Sequence, residues 1–360
     1  MKCTACNHFE RKNVWTCSNC GNSIEGGVVF VTGISGTPAS AFLQSVINEA
    51  KNHQHKVTLY DIGELMKKYA EEDDPDVIWD RILDSNEKVR RHLRALAFQY
   101  ITSEIKSNPN TLHIVDLHLS FRWHPYLTKG FEPHVLKEFL PYVRCFINLI
   151  EDIDKVQQNL AKTSWGTRKT LALLLWRDEE LFLTDLFANI CGRVNSFALA
   201  CGEPPSMLER IIWHPEQKRV YLSFPITNIL NDEDSKNEIF SFRDKLRELS
   251  IIVFDPYASK DYDDTYKKIE MEAIRHEVGE VTKDRDFRFI DQADAVVVYF
   301  PKKVASKGVD AEMNHARSTG KPIFLYSPED LGGGPFAVPA SHFRSDSNDY
   351  LQLINQKLGS

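Results

Sequence analysis

The chain has 360 residues, a length for two or three domains, and its 42% hydrophobic content suffices for packed cores. A formal net charge of -7 and a pI near 6.0 argue against a general nucleic-acid footprint, although local basic patches remain open. No secretory pattern opens the chain and no apolar run approaches membrane-spanning length, so a cytoplasmic protein without a membrane partner is expected.

The first predicted element is a cysteine module. Cys3 and Cys6 form one CxxC pair, and Cys17 and Cys20 form another after ten intervening residues. Two such knuckles place four thiolates at the corners of a tetrahedron, the geometry of structural zinc. Phe9 and Trp15 can cover a core too small to hold together without metal. The module resembles a zinc ribbon, spanning residues 1–25. Four protein ligands leave no open position, which implies structure or recognition of a protein or nucleic-acid partner. Cys145, Cys191 and Cys201 are scattered, which fits a reducing compartment better than a disulfide framework.

Val28 to Thr32 then reads as a buried strand, followed by the turn Gly33-Ile-Ser-Gly-Thr-Pro-Ala-Ser40 and a helix with Phe42, Leu43, Val46, Ile47 and Ala50 on one face. Strand, Gly-rich turn and helix form the layout of a phosphate-binding loop. Strands are predicted at Val57 to Tyr60, His113 to Leu117 and Val143 to Ile150, with helices such as Asp76 to Ile105 between them. The domain, 26–216, resembles a P-loop kinase over about residues 27–200, most like the archaeal adenylate-kinase branch, on Val31-Thr-Gly-Ile-Ser-Gly36 and His113-Ile-Val-Asp-Leu-His118. The resemblance implies nucleotide contacts at Gly33, Gly36, Ser40 and Asp116. The match is degenerate. Pro38 stands where the second glycine belongs and removes an amide donor. Ala39 stands where the lysine belongs and removes the cation that meets the transferring phosphate. Ser40 could still hold Mg2+. Three readings stay open: nucleotide binding without transfer, a structural relic, or a kinase with its cation relocated to Lys162, Arg168, Lys169 or Arg177.

Gly202-Glu-Pro-Pro-Ser206 marks a break, and Leu208 to Trp213 reads as a last strand of the middle sheet. The C-terminal domain, 217–360, opens with the strand Val220-Tyr-Leu-Ser223. A helix from about Asp234 to Leu249 carries an apolar stripe, and Ile251 to Phe254 is the next strand. Asp255 to Asp284 is highly charged and reads as a solvated helix and loop. Asp294 then opens an apolar strand, Ala295 to Phe300, followed by Ser306-Lys-Gly-Val-Asp-Ala-Glu312 and the strand Ile323 to Tyr326. Glu312 is placed near a helix N-terminus, where the dipole favours an ionised carboxylate. Gly332 to Pro335 and the tail after it read as mobile.

These C-terminal motifs resemble the nucleoside 2-deoxyribosyltransferase superfamily, and more closely its nucleoside 5'-monophosphate N-glycosidases. The resemblance implies that Glu312 acts on the anomeric carbon. It implies that Ser306, six residues before it, binds a 5'-phosphate with loop amides near Gly308. It implies that Asp286, eight residues before Asp294, assists the leaving base, and that Tyr221 orients Glu312. The loop after the first strand departs from the family, with Phe224-Pro-Ile-Thr227 in place of a Gly- and Arg-bearing sequence; Ser223 and Thr227 are its candidate substrate contacts. Arg275, His276 or Lys283 are candidate replacements for the lost arginine. The expected fold class is therefore α/β: a zinc ribbon, a P-loop kinase-like parallel-sheet domain, and a second, Rossmann-like domain. The expected function is base–sugar cleavage of a (deoxy)nucleoside 5'-monophosphate by a homo-oligomer. Cleavage of an NAD-type dinucleotide, or a non-catalytic nucleotide sensor, are the alternatives.

Overall fold

The computed structural model describes residues 26–123, 126–192, 194–226, 232–259, 275–328 and 340–359. The four cysteines of the predicted zinc module, and Thr227, lie outside the described residues. The chain divides into two compact units after Trp213.

The first unit is built on five parallel strands in the order β2-β3-β1-β6-β7: β1 (Gly27–Thr32), β2 (Val57–Asp61), β3 (Leu112–Asp116), β6 (Val143–Ile150) and β7 (Asn195–Ala200). β1 is apolar along its length because it is central and covered on both faces, as expected for a parallel sheet. The helices α1 (Ala39–Asn52), α2 (Ile62–Asp73), α3 (Glu87–Ser107), α5 (Ile153–Leu160), α6 (Thr170–Ile190) and α7 (Pro205–Trp213) accompany the sheet. A hairpin of β4 (Ser120–Trp123) and β5 (Tyr126–Lys129) and the short α4 (Leu136–Phe139) complete the described elements used below. Phe30, Phe98, Phe139 and Phe146 meet in the core. The carboxylate of Glu180, fully buried on α6, accepts the amides of Leu119 (2.6 Å) and Ser120 (2.9 Å) and the Ser120 hydroxyl, and so anchors the hairpin to α6.

Two expectations are corrected in this unit. The helix read over Asp76 to Ile105 is a short helical turn, Trp79–Asp84, and then α3; the Asn86 side chain accepts the Lys88 amide at 2.9 Å and starts a new helix there. Leu208 to Trp213 is not a strand but the body of α7. Met207, Leu208, Ile211 and Ile212 recur at helical spacing and are buried, Pro205 occupies a first-turn position, and β7 supplies the outer strand instead.

The second unit is a five-stranded parallel sheet in the order β12-β11-β10-β8-β9: β8 (Lys218–Ser223), β9 (Ile251–Phe254), β10 (Ala295–Tyr299), β11 (Ile323–Tyr326) and β12 (His342–Arg344). Four helices go with it: α8 (Glu233–Glu248), α9 (Arg275–Asp291), α10 (Lys307–Ser318) and α11 (Ser347–Leu358). The side chain of Asp232 caps α8, that of Ser306 caps α10 and that of Asp346 caps α11. On one face Ile239, Phe242 and Leu246 of α8 pack with Tyr299 and Tyr350. Gly332 to Pro335 lie outside the described residues; the tail past them forms β12 and α11. Tyr350 is fully buried and donates to the carbonyls of Phe324 (2.8 Å) and Val298 (3.0 Å).

Candidate functional site

In the second unit the chain leaves β8 toward β9 on one side and returns to place β10 on the other. β8 and β10 are thus neighbours whose connections depart in opposite directions. Such a switch point opens a crevice at the carboxyl ends of the strands, where α/β folds place ligands. Alternation along β8 decides what faces it. Val220 and Leu222 belong to the apolar cluster with α8, while Tyr221 and Ser223 point to the opposite face.

Glu312 lies on α10, which follows β10. The Tyr221 hydroxyl donates to its Oε1 at 2.9 Å, and the Ser223 hydroxyl donates to its Oε2. Tyr221 and Ser223 are wholly buried. Both carboxylate oxygens are therefore held by side chains of a neighbouring strand. The structure places Ser223 against Glu312 itself, a contact that no residue spacing had indicated.

The electrostatics correct one expectation. Glu312 lies in the second turn of α10, and the first-turn acid is Asp310, which is exposed. Burial raises the Glu312 pKa, and the negative charge of Asp286 raises it further; the Ser223 and Tyr221 hydroxyls and Arg285 oppose the shift without cancelling it. The helix dipole acts mainly within the first turn and does not overcome this desolvation. Burial, followed by the charges of Glu312 and Asp286, also raises the Tyr221 phenol, which stays a neutral donor.

Asp286 lies on α9. Arg285 donates to its Oδ1 from Nε (3.1 Å) and Nη2 (2.8 Å), and Arg285 Nη1 also donates to the Ser259 carbonyl at 2.9 Å. Arg285 is itself buried. The RDFRF run could have flagged it, since an arginine beside a candidate catalytic aspartate is a natural counter-ion. Ser306 occupies the N-cap of α10, where its Oγ accepts the Val309 amide at 3.4 Å; its own proton can still be donated to a ligand. Gly308 is in the first turn of that helix, where a Cβ would stand 3.9 Å from Ser306 Oγ. Lys283, a candidate phosphate ligand, is exposed and donates to Glu280 at 2.9 Å. The side chains of Arg275 and His276 are outside the described set.

In the first unit, Gly36, Ser40 and Asp116 line a cavity of about 350 Å³ outside the carboxyl ends of β1, β2 and β3. Gly33 does not line it; its carbonyl accepts from Nδ1 of His118, which does. Gly36 has φ +92°, and a Cβ there would meet Leu160 and the Val156 carbonyl at 2.9 Å, so only glycine fits. Pro38 is the N-cap residue of α1 and supplies no side-chain cap. Among the described residues that line the cavity, none is Lys162, Arg168, Lys169 or Arg177, so a relocated kinase cation gains no support. Burial pushes the Asp116 carboxyl up to about 8, with the charge of Asp61 adding to the shift. Among the described residues no group of three or more His, Cys, Asp or Glu side chains is arranged to hold a metal ion, and no helix is long and apolar enough to cross a membrane.

No protein-family model matches the chain, and no curated protein matches it. Solved structures similar to it include a 2-deoxyribosyltransferase from Bacillus psychrosaccharolyticus, 20% identical over 36% of this chain and 88% of that one, with a TM-score of 0.29. They also include a shikimate kinase from Acinetobacter baumannii in complex with shikimate (12% identity, 54% and 97% coverage, TM-score 0.33). A third is a gluconokinase from Sinorhizobium meliloti 1021 (11% identity, 53% and 91% coverage, TM-score 0.30). Likenesses this distant assign no activity.

Proposed function

We propose that the second unit is a nucleotide N-glycosidase that hydrolyses the base–sugar bond of a (deoxy)nucleoside 5'-monophosphate. The observation that carries the reading is the pair of hydroxyl donors, Tyr221 and Ser223, converging on the two oxygens of Glu312 at a sheet switch point. A carboxylate that accepts at both oxygens is oriented as an anion, which suits attack on, or charge stabilisation at, a cationic anomeric carbon. A general acid at this position would instead have to present a proton outward.

In this reading the base leaves with the electron pair of the glycosidic bond and takes a proton from the Asp286 side. Glu312 bonds to, or shields, the anomeric carbon, and water then completes hydrolysis. The developing positive charge on the sugar offsets the desolvation that raises Glu312, so the ionised form is favoured when it is needed. Ser306 and the first-turn amides of α10 would receive the 5'-phosphate, since a helix N-terminus presents unpaired N–H groups to an anion. A structural zinc ribbon at 1–25 and a homo-oligomer belong to the same proposal.

The test incubates the full-length protein with ribo- and deoxyribonucleoside monophosphates, the matching nucleosides, and NAD, and follows free base by chromatography. Base release from a monophosphate, with its nucleoside a poorer substrate, supports the reading. Release from NAD alone would move the assignment to dinucleotide cleavage. Binding without release from any compound would leave a nucleotide sensor.

A further inference from the structure

The cavity of the first unit has a chemistry that the phosphate-loop layout does not convey. Its two arginines are already paired with acids, Arg90 and Arg94 with Glu87 and Arg94 also with Glu132 at 3.5 Å. Arg90 Nη2 meets Glu87 at 2.7 Å, and Arg94 Nη2 meets the other Glu87 oxygen at 2.8 Å; Arg94 also donates to the Lys129 carbonyl. Two acids, Asp61 and Asp116, stand at the ends of β2 and β3 on the loop side, close enough for one charge to bear on the other. With Pro38 and Ala39 in the loop, a polyphosphate would lack an amide and the lysine that a phosphate-binding loop supplies.

The remaining lining points to a different ligand. Trp165 forms part of one wall; it stacks on Trp176 at 5.1 Å and Phe121 at 6.3 Å, stands edge-on to Trp123 at 4.8 Å, and has the Arg168 guanidinium 5.4 Å from its ring centre. Two buried polar atoms of the lining, Thr37 Oγ1 and Arg94 Nε, have no hydrogen-bond partner among the described residues. Buried polar groups are destabilising if left unmet, so they mark places where a ligand or water is expected. Burial keeps His118 neutral. With Nδ1 donating to Gly33, its Nε2 remains an acceptor. An aromatic wall with an unmet hydroxyl and an unmet N–H, beside the carboxyls of Asp116 and of Asp61, which also caps α2 through the Glu64 amide, suits a planar ring carrying hydroxyls, and the volume falls within the usual range for small-molecule pockets.

We propose that the first unit binds a neutral nucleoside in this cavity, with the base against Trp165 and the sugar hydroxyls on Asp61, Asp116 and Thr37, and that it discriminates against nucleoside triphosphates. The proposal rests on residues of the first unit and the glycosidase reading on residues of the second, so the failure of one leaves the other standing.

The experiment titrates the full-length Glu312→Gln protein with adenosine, guanosine, cytidine and uridine, and with their triphosphates plus Mg2+, following quenching of tryptophan fluorescence. On the glycosidase reading the substitution also prevents turnover of the probes by the second unit; if that reading fails, no turnover arises and the titration stands unchanged. At least one nucleoside is expected to bind tenfold or more tightly than its triphosphate. Trp165→Ala and the near-isosteric Asp116→Asn are each expected to weaken it tenfold or more with circular dichroism unchanged. Tighter binding of a triphosphate, quenching by no nucleoside, or full affinity in a folded Asp116→Asn protein would overturn the proposal.

Discussion

Tyr221 and Glu312 are separated by 91 positions in sequence and joined by a 2.9 Å hydrogen bond from the phenol to Oε1. The phenol is wholly buried on β8 and has no freedom to point elsewhere. Its bond favours the ionised form of Glu312 and works against the burial that raises the carboxyl. Tyr221→Phe should therefore raise the Glu312 pKa further. The expected result is a 10- to 100-fold loss of turnover, about 1.4–2.7 kcal/mol, together with an ascending limb of the pH–rate profile moved to higher pH. A profile unchanged in position would separate Tyr221 from Glu312.

Protonation of Glu312 also predicts how stability depends on pH. Its folded-state pKa lies above its unfolded value, so the folded state binds more protons between the two. Stability contributed by the protonated carboxyl is full below the unfolded value and is lost as pH rises through the folded one. Denaturant midpoints of the parent should fall with rising pH across that window, and Glu312→Gln should flatten this dependence. Equal slopes in the two proteins would contradict the raised pKa.

Asp286 bears on the same carboxyl with the opposite sign. Asp286→Asn removes a negative charge that raises Glu312, so the ascending limb should move to lower pH. Turnover should fall 10²- to 10⁴-fold if Asp286 serves the leaving base. Substrates whose bases leave readily without protonation should lose least. A uniform loss across bases would assign Asp286 to holding Arg285 instead.

Gly36 gives a prediction confined to the first unit. Gly36→Ala forces a side chain into a positive φ and against Leu160 and the Val156 carbonyl. A loss of about 1–3 kcal/mol is expected, read from chemical denaturation. A stability within 0.5 kcal/mol of the parent, roughly the range of a neutral surface change, would show that the loop relaxes.

Much of the fold could be read from periodicity. The apolar runs of β1, β6 and β10 are central parallel strands covered on both faces, and such strands announce themselves by composition. α7 could not be told from a strand in this way, because Leu208 to Trp213 is a short apolar run whose type depends on the helix-starting Pro205. The Glu312–Tyr221 contact was legible only through resemblance. The Ser223 bond and the raised Glu312 pKa were not, since both depend on which face of β8 meets α10 and on how deeply that face is buried. The aromatic cavity was hidden for a related reason: Asp61, Asp116 and Trp165 come from three distant segments that only the sheet order brings together.

The most direct test of the central claim compares the parent with Glu312→Gln on the best nucleoside monophosphate, measuring substrate binding and base release in the same preparation. The account predicts that binding survives within a few-fold while release falls by at least 10³-fold, about 4 kcal/mol of transition-state stabilisation. Release by Glu312→Gln at the parental rate would contradict it and remove Glu312 from the chemistry.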